Sequence, residues 1–202
     1  MAKDTEKAIL IAAQQHFVQK GYVATRMEDI AAAADINKAM LHYYFRTKEK
    51  LFEEIVNQTL NTLIPRIAQA MDSEGTVLEK LEKVVDTYVS TLIEYPSIPF
   101  FIMSELSQKR EHFVGELKKR AHFLPAVPAF IAQMQQEMAV GKIRTFDPLH
   151  LFLSVVGMCV FPFMAKPLFC NVMDIPEAGF DYLMQARAAE VKRFLQAALS
   201  LE

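Results

Sequence analysis

Hydrophobic residues recur at three- and four-residue steps along most of the chain, which is the spacing of one face of an α-helix. Ile9, Ala13 and Phe17 form the first apolar stripe, and Val191 and Leu195 belong to the last. The sequence has no alternating apolar and polar run of the kind that predicts a strand, and no evident internal repeat. The pattern predicts an all-α protein with helices over about residues 5–20, 26–34, 38–45, 48–71, 77–92, 100–109, 125–140, 148–165 and 177–199.

Residues that favour helix ends separate these stripes. Gly21 suits the left-handed conformation that ends many helices. Thr25 and Glu28 have the spacing of a capping box, in which each side chain satisfies a backbone N–H group at a helix start. Asn37 is placed to cap the third helix, and Asp35 before it tolerates a left-handed backbone. The predicted caps of the fourth and eighth helices are Thr47 and Asp147.

The amino-acid composition limits the classes of protein to which the chain can belong. The chain has 202 residues, of which 52% are hydrophobic and 23% charged, and these fractions exclude a mainly disordered chain. Residues 1–50 contain 8 Lys or Arg and 6 Asp or Glu, which gives a net charge of +2. The rest of the chain contains 14 basic and 18 acidic residues, which gives a net charge of −4. We therefore expect any surface for a polyanion in the first 50 residues.

The cysteines and the apolar stretches indicate the cellular compartment in which we expect the protein. Cys159 and Cys170 are ten residues apart and lack metal-ligand partners at suitable spacing, so we interpret them as reduced thiols of a cytoplasmic protein. The most apolar stretch, residues 149–169, is interrupted by Pro162 and Lys166 and is too short for a membrane span. No export signal is evident, and we expect no membrane association.

No catalytic constellation is apparent in the sequence. It has no nucleophile with a base at plausible spacing, no glycine-rich phosphate loop and no paired carboxylates in apolar surroundings. His112 and Glu116 lie four residues apart, but no second pair accompanies them to complete a metal site. We expect no enzyme activity, no cofactor and no metal.

The second and third helices have the spacing of a helix-turn-helix, in which the later helix enters the DNA major groove. Leu41 and Phe45 are predicted to face the core with part of Tyr44, which leaves the other side of the third helix for bases and phosphates. We also expect phosphate contacts from residues at helix starts. The candidate DNA-binding residues are Thr25, Arg26, Asn37, Lys38, Ala39, Met40, His42, Tyr43, Tyr44 and Lys48.

These residues resemble a known family, the TetR-type bacterial transcriptional regulators. The family pattern I-x-x-A-A-x-x-x-F-x-x-x-G-Y corresponds here to ILIAAQQHFVQKGY, and ATRMEDIAAAADINKAMLHYYFRTKEKLF continues the match, so that it spans about residues 9–52. Three positions depart from the pattern. Asp35 replaces the usual turn glycine, Asn37 replaces a common serine, and His42 stands where tyrosine is frequent.

The resemblance implies a division into a helix-turn-helix DNA-binding domain, residues 1–47, and a larger helical bundle for ligand sensing and dimerisation, residues 48–202. It implies a homodimer formed through the last two helices, a near-palindromic double-stranded operator and a repressor released by a small, mostly apolar effector. An aromatic and methionine-rich set with few charges offers candidates for the effector site: Tyr88, Phe101, Met103, Phe123, Phe130, Met134, Met158 and Phe161.

Two other functions fit the sequence. One is a helical carrier of lipids or hydrophobic ligands whose amino-terminal helices serve packing and do not bind DNA. The other is a DNA-binding protein without an effector, in which the second domain serves only dimerisation. Salt-dependent binding to duplex DNA distinguishes the carrier from the regulator, because phosphate contacts release counterions.

Overall fold

The structure, a computed structural model, describes residues 2–108, 110–120 and 125–201. Within these residues it contains helices and connecting segments but no strand, and the all-α prediction is confirmed. The helices are α1 (Ala2–Ala24), α2 (Met27–Ala33), α3 (Lys38–Tyr44), α4 (Lys48–Asp72), α5 (Val77–Glu94), α6 (Ile98–Gln108), α7 (Arg110–Lys119), α8 (Ala126–Ala139), α9 (Pro148–Met164), α10 (Lys166–Asn171) and α11 (Glu177–Leu199).

Most of the predicted helix ends are confirmed. Gly21 has φ 77° and breaks the helical geometry of α1, and Asp35 is left-handed with φ 54°. The Asn37 side chain accepts a hydrogen bond from the Met40 amide at 2.8 Å. The predicted caps Thr47 and Asp147 accept hydrogen bonds from the amides of Lys50, at 3.2 Å, and of Leu149 and His150, at 2.9 and 3.0 Å.

The predicted capping box at Thr25 and Glu28 is wrong. The residue at the cap of α2 is Arg26, whose side chain makes no capping hydrogen bond. The Thr25 hydroxyl donates instead to the carbonyl oxygens of His16 and Gly21, at 3.0 and 2.7 Å. The positive φ of Gly21 brings the chain back toward the end of α1, so Thr25 serves that helix and not the next one.

Two helices, α7 and α10, were not predicted. Helix α10 has six residues, and α7 has ten residues of which only Phe113 and Glu116 are buried. Short helices with such a narrow apolar stripe produce only a weak hydrophobic periodicity in the sequence.

The chain packs as two compact units. The first contains the residues up to Asn61 together with Phe100–Arg110. Its core includes three aromatic rings, of which Phe17 and Phe52 have centroids 5.1 Å apart, and Phe52 and Phe101 have centroids 5.3 Å apart. These edge-to-face and tilted arrangements are the ones that aromatic pairs favour.

The second unit contains Thr62–Pro99 and the described residues after Arg110. Helix α5 packs against α8, α9 and α11, and buries a continuous apolar stripe along its length. Polar contacts at the edge of the helix pair α5 and α11 join Lys192 to Asp86 at 2.8 Å and Gln196 to Glu82 at 2.6 Å.

The packing boundary at Asn61 lies inside α4, whereas the functional division was predicted at residue 47. Packing alone does not test where DNA binding ends, and that division stays a prediction. A search of the described helices finds none with the length and apolar character needed to cross a lipid bilayer.

Candidate nucleic-acid interface

Helices α2 and α3 form the predicted helix-turn-helix. They pack against each other, and the turn between them is closed by hydrogen bonds from the Ile36 amide to the Ala31 carbonyl at 3.0 Å and from the Asp35 amide to the Ala32 carbonyl at 3.2 Å. Ile30 of α2 and Leu41 of α3 are buried beneath this turn. The arrangement holds α3 at a fixed angle on its support.

Helix α3 is divided between core and solvent as the sequence predicts. Leu41 and Phe45 are buried and Tyr44 is half-buried. Tyr43 is 83% exposed, and its ring lies edge-on to that of Tyr44 with centroids 5.5 Å apart. The exposed residues at the start of the helix are Asn37, Lys38, Ala39 and Met40.

Lys38, the predicted base-reading residue, is paired with an acidic side chain of α2. Its ammonium group donates to Glu28 Oε1, and both side chains are more than half exposed. This hydrogen bond lowers the pKa of the Glu28 carboxyl below its usual value. Exposed ion pairs contribute little to stability because water and salt screen them, so Lys38 can exchange Glu28 for another partner at little cost.

A second pair of the same kind joins α1 to α2. Lys20 donates to Asp29 Oδ2 at 2.9 Å, and this bond lowers the pKa of the Asp29 carboxyl. The two lysines therefore have closely similar surroundings, although only Lys38 is on α3.

Other predicted contact residues differ in what they can offer to DNA. His42 is half-buried, and its Nδ1 lies 3.1 Å from the Arg46 carbonyl oxygen, which leaves Nε2 for a further contact. Arg26 is exposed at the start of α2. Thr25 is only 1% exposed and its hydroxyl is bonded internally, so we leave it out of the proposed surface.

Lys48, the first residue of α4, contacts backbone carbonyls. Its Nζ donates to the carbonyl oxygens of Tyr22, Val23 and Thr25 at 2.9, 3.3 and 3.0 Å, and lies 4.6 Å from the centroid of the Tyr22 ring. The Tyr22 hydroxyl donates to Glu49 Oε1 at 2.8 Å. Burial, followed by this hydrogen bond, raises the pKa of Tyr22.

The candidate effector residues do not form one cluster. Phe101 belongs to the core of the amino-terminal unit, Met103 and Phe161 are exposed, and Phe123 lies outside the described residues. The other four lie on α5, α8 and α9, which pack against one another, and are buried or half-buried: Tyr88, Phe130, Met134 and Met158. The structure therefore brings half of the predicted set onto adjoining helices.

An open groove of about 340 Å³ lies elsewhere in the second unit, beside the start of α5 and the end of α11. Its lining includes Thr76, Glu137 and Leu199, and none of the described effector candidates. Among the described residues, no group of three or more His, Cys, Asp or Glu side chains could hold a metal ion.

Glu28, Tyr22 and Glu49 belong to this region although the sequence pattern does not predict it. Glu28 was assigned to a capping box, and that assignment concealed its role as the partner of Lys38. The signal available for Tyr22 was its position directly after Gly21, where the carbonyl groups of an ending helix need donors.

Comparison with known proteins agrees with this geometry. Residues 9–55 match the bacterial regulatory proteins of the tetR family. The HTH-type transcriptional regulator RutR of Escherichia coli K12 is 29% identical over 154 residues, which cover 74% of this chain and 69% of RutR. The amino-terminal domain is that of a TetR-family regulator. The matches support a DNA-binding transcriptional regulator, and the matched relatives are regulators and not enzymes.

Solved structures share the fold. The ketosteroid transcriptional regulator KstR2 of Mycobacterium tuberculosis has a TM-score of 0.70 at 18% identity, over 98% of this chain and 95% of that one. AibR, solved in complex with isovaleryl coenzyme A and operator DNA, has a TM-score of 0.62 at 23% identity, over 79% of this chain and 86% of that one. At these identities the likeness establishes the architecture of the TetR-family chain and not its ligand.

Proposed function

We propose that this TetR-family regulator is a cytoplasmic, homodimeric repressor that binds a near-palindromic operator and leaves it when a small, mostly apolar effector binds. The observation that carries the DNA half of the proposal is the exposed face of α3, with Lys38, Met40 and Tyr43 outermost. A helix held this way by α2 can place its first residues against base edges.

Each side of α3 has a proposed role. Lys38 is the donor to guanine, and Ala39 and Met40 supply apolar surface for thymine methyl groups. His42 and Tyr43 reach base or phosphate, and Arg26 contacts phosphate from the start of α2. We propose that residues 1–47 contain these contacts and that residues 48–202 sense the effector and dimerise.

The proposed dimer forms through α9 and α11. On α9, Leu149, Leu153 and Phe161 are each more than half exposed and lie within about a third of the helix circumference, at about 100° per residue. On α11, Leu183 and Phe194 are also exposed. An apolar surface of this extent is typical of an interface, and a two-fold dimer reads two related half-sites.

The proposed effector site lies among α5, α8 and α9, where Tyr88, Phe130, Met134 and Met158 offer aromatic and thioether surface with few charges. The complex of AibR with isovaleryl coenzyme A and operator DNA supports a site for an acyl-bearing ligand on this fold. Release requires that the effector bind more tightly to the conformation that cannot span the operator.

The test is Lys38→Ala, assayed by mobility shift on a duplex selected from a random pool and on a scrambled duplex. We expect the variant to lose about 1–3 kcal/mol of binding free energy on the selected duplex and much less on the scrambled one. Lys20→Ala is the matched control, because Lys20 has the same kind of exposed ion pair but lies on α1. Equal losses on both duplexes would show that Lys38 contacts only phosphate.

A further inference from the structure

Lys48 was expected to hold a DNA phosphate, yet its surroundings give it a different role. We propose that Lys48 is a positioning residue for operator binding, which fixes the connection between α1 and α2 to the start of α4 and does not bind a phosphate. The inference rests on the operator surface proposed above, because the residues that Lys48 positions lead directly into it.

The ammonium group of Lys48 already has a full set of acceptors. A lysine ammonium has three N–H donors. The structure places three carbonyl oxygens within hydrogen-bond distance of Nζ, those of Tyr22, Val23 and Thr25, at 2.9 to 3.3 Å. A phosphate could bind this group only by displacing one of them.

The chain geometry explains why the carbonyl groups converge there. Helical geometry breaks at Gly21, and carbonyl groups at the end of a helix lack intrahelical donors and attract cations. The Tyr22 ring provides an additional contact beneath the ammonium, and its hydroxyl bonds to Glu49, the residue after Lys48. The first two residues of α4 thus hold both the backbone and a side chain of the connection.

What Lys48 holds in place is the approach to the DNA surface. The next residue after the last of the three carbonyls is Arg26, and α2 begins at Met27. Helix α2 packs on α3 and carries Glu28, the partner of Lys38. If the connection moves, both Arg26 and the support of α3 move with it.

Two variants separate positioning from phosphate binding. Lys48→Arg keeps the charge, but the planar guanidinium cannot direct donors to three carbonyl groups around one point. Lys48→Met removes the charge and retains much of the stem. Both are measured by binding to the selected duplex over a range of salt concentrations, and by amide hydrogen exchange of the DNA-free protein at Thr25, whose N–H donates to the Gly21 carbonyl at 3.3 Å. Arg26→Ala is the control for a phosphate contact.

We expect both Lys48 variants to bind the selected duplex about tenfold more weakly or worse, the loss that one charge-assisted hydrogen bond represents. The slope of log K against log salt should stay at the wild-type value, whereas Arg26→Ala should make it shallower by about 1.8, because each subunit of the proposed dimer loses one phosphate contact. The Thr25 amide should exchange faster in both Lys48 variants.

Wild-type affinity in Lys48→Arg would overturn the proposal, as would a slope shallower by about 1.8 in Lys48→Met with unchanged exchange at Thr25. If the wild-type protein selects no duplex, the proposed function fails, while hydrogen exchange in the DNA-free protein still decides what Lys48 holds. If the slope changes in neither Arg26→Ala nor the Lys48 variants, the assignment of Arg26 fails and that of Lys48 stands.

Discussion

Arg187 compensates for a missing hydrogen-bond donor in the middle of α9. Pro162 lies inside this helix, and a proline has no N–H group to offer the carbonyl four residues earlier, which here is that of Met158. The structure shows Arg187 Nε of α11 donating to the Met158 carbonyl oxygen at 2.9 Å. We therefore predict that Arg187→Met is destabilising only as long as residue 162 is proline.

The magnitude follows from the exposure of the two partners. A hydrogen bond to a charged group contributes about 1.5–3 kcal/mol, but Arg187 and Met158 are only half-buried, so water replaces part of the loss. We expect Arg187→Met to lower the free energy of unfolding by about 1–2 kcal/mol. In a Pro162→Ala background the new N–H group supplies the donor, and the same substitution should cost less than about 0.5 kcal/mol.

The assay is a double-mutant cycle measured by urea unfolding at a fixed protein concentration, because the stability of a dimer depends on concentration. The cycle cancels the direct effect of Pro162→Ala, in which a gained hydrogen bond opposes the loss of a buried ring. Arg193→Met is the control, since Arg193 is on the same helix with a side chain that is 74% exposed. An equal cost of Arg187→Met in both backgrounds, or a cost as small as that of Arg193→Met, would refute the argument.

Three further predictions concern the carboxy-terminal unit. Burial raises the pKa of the Cys159 thiol to about 12, so an alkylating reagent at pH 8 should modify Cys170 first, as detected by mass spectrometry. Rapid labelling of Cys159 in the native protein would contradict its burial. Burial also raises the pKa of Tyr88 from 10.0 to about 12, so its contribution to stability is complete below pH 10 and is lost as the pH rises to 12. Tyr88→Phe should therefore remove about 2–3 kcal/mol of the alkaline fall in the free energy of unfolding. An unchanged fall in the variant would contradict the burial of the Tyr88 hydroxyl. Phe161→Glu should convert the proposed dimer to monomers in sedimentation analysis, whereas Val140→Glu, at a site of similar exposure on neither α9 nor α11, should not. A dimer that persists in Phe161→Glu would place the interface elsewhere.

Much of the DNA-binding half could be predicted from the sequence because its signals are local. Asn37 caps the helix that it precedes, Asp35 adopts the left-handed conformation of the turn, and the three- and four-residue spacing of Leu41 and Phe45 determines which side of α3 faces inward. Each of these depends on residues within one or two helical turns. The failure at Thr25 was also local, because a capping box and a hydroxyl that bonds backward to α1 give the same sequence pattern.

The effector half could not be predicted in the same way. Met and Phe at helical spacing occur in any helical core, and only tertiary packing places Tyr88 near Cys159 while leaving Phe161 on the surface. Phe101 shows the difficulty most clearly, since it lies in sequence between α5 and the later helices of the carboxy-terminal unit but packs with Phe17 and Phe52. No local signal in the sequence indicates that α6 returns to the amino-terminal unit.

The structure also shows how the positive charges of the first 50 residues are distributed among partners. Of the basic residues in the first 50, Lys20 and Lys38 face carboxylates of α2, and Lys48 faces backbone carbonyls. The net charge of +2 already counts Glu28 and Asp29, so these pairs leave the total unchanged, but Glu28 locally balances the positive charge of Lys38 and weakens the attraction for phosphate at that position. A paired lysine gains little from a passing phosphate, which only replaces one anion by another, but gains more where a guanine also offers acceptors in fixed positions. We therefore expect Glu28, as the acidic partner of Lys38, to weaken non-specific binding more than specific binding.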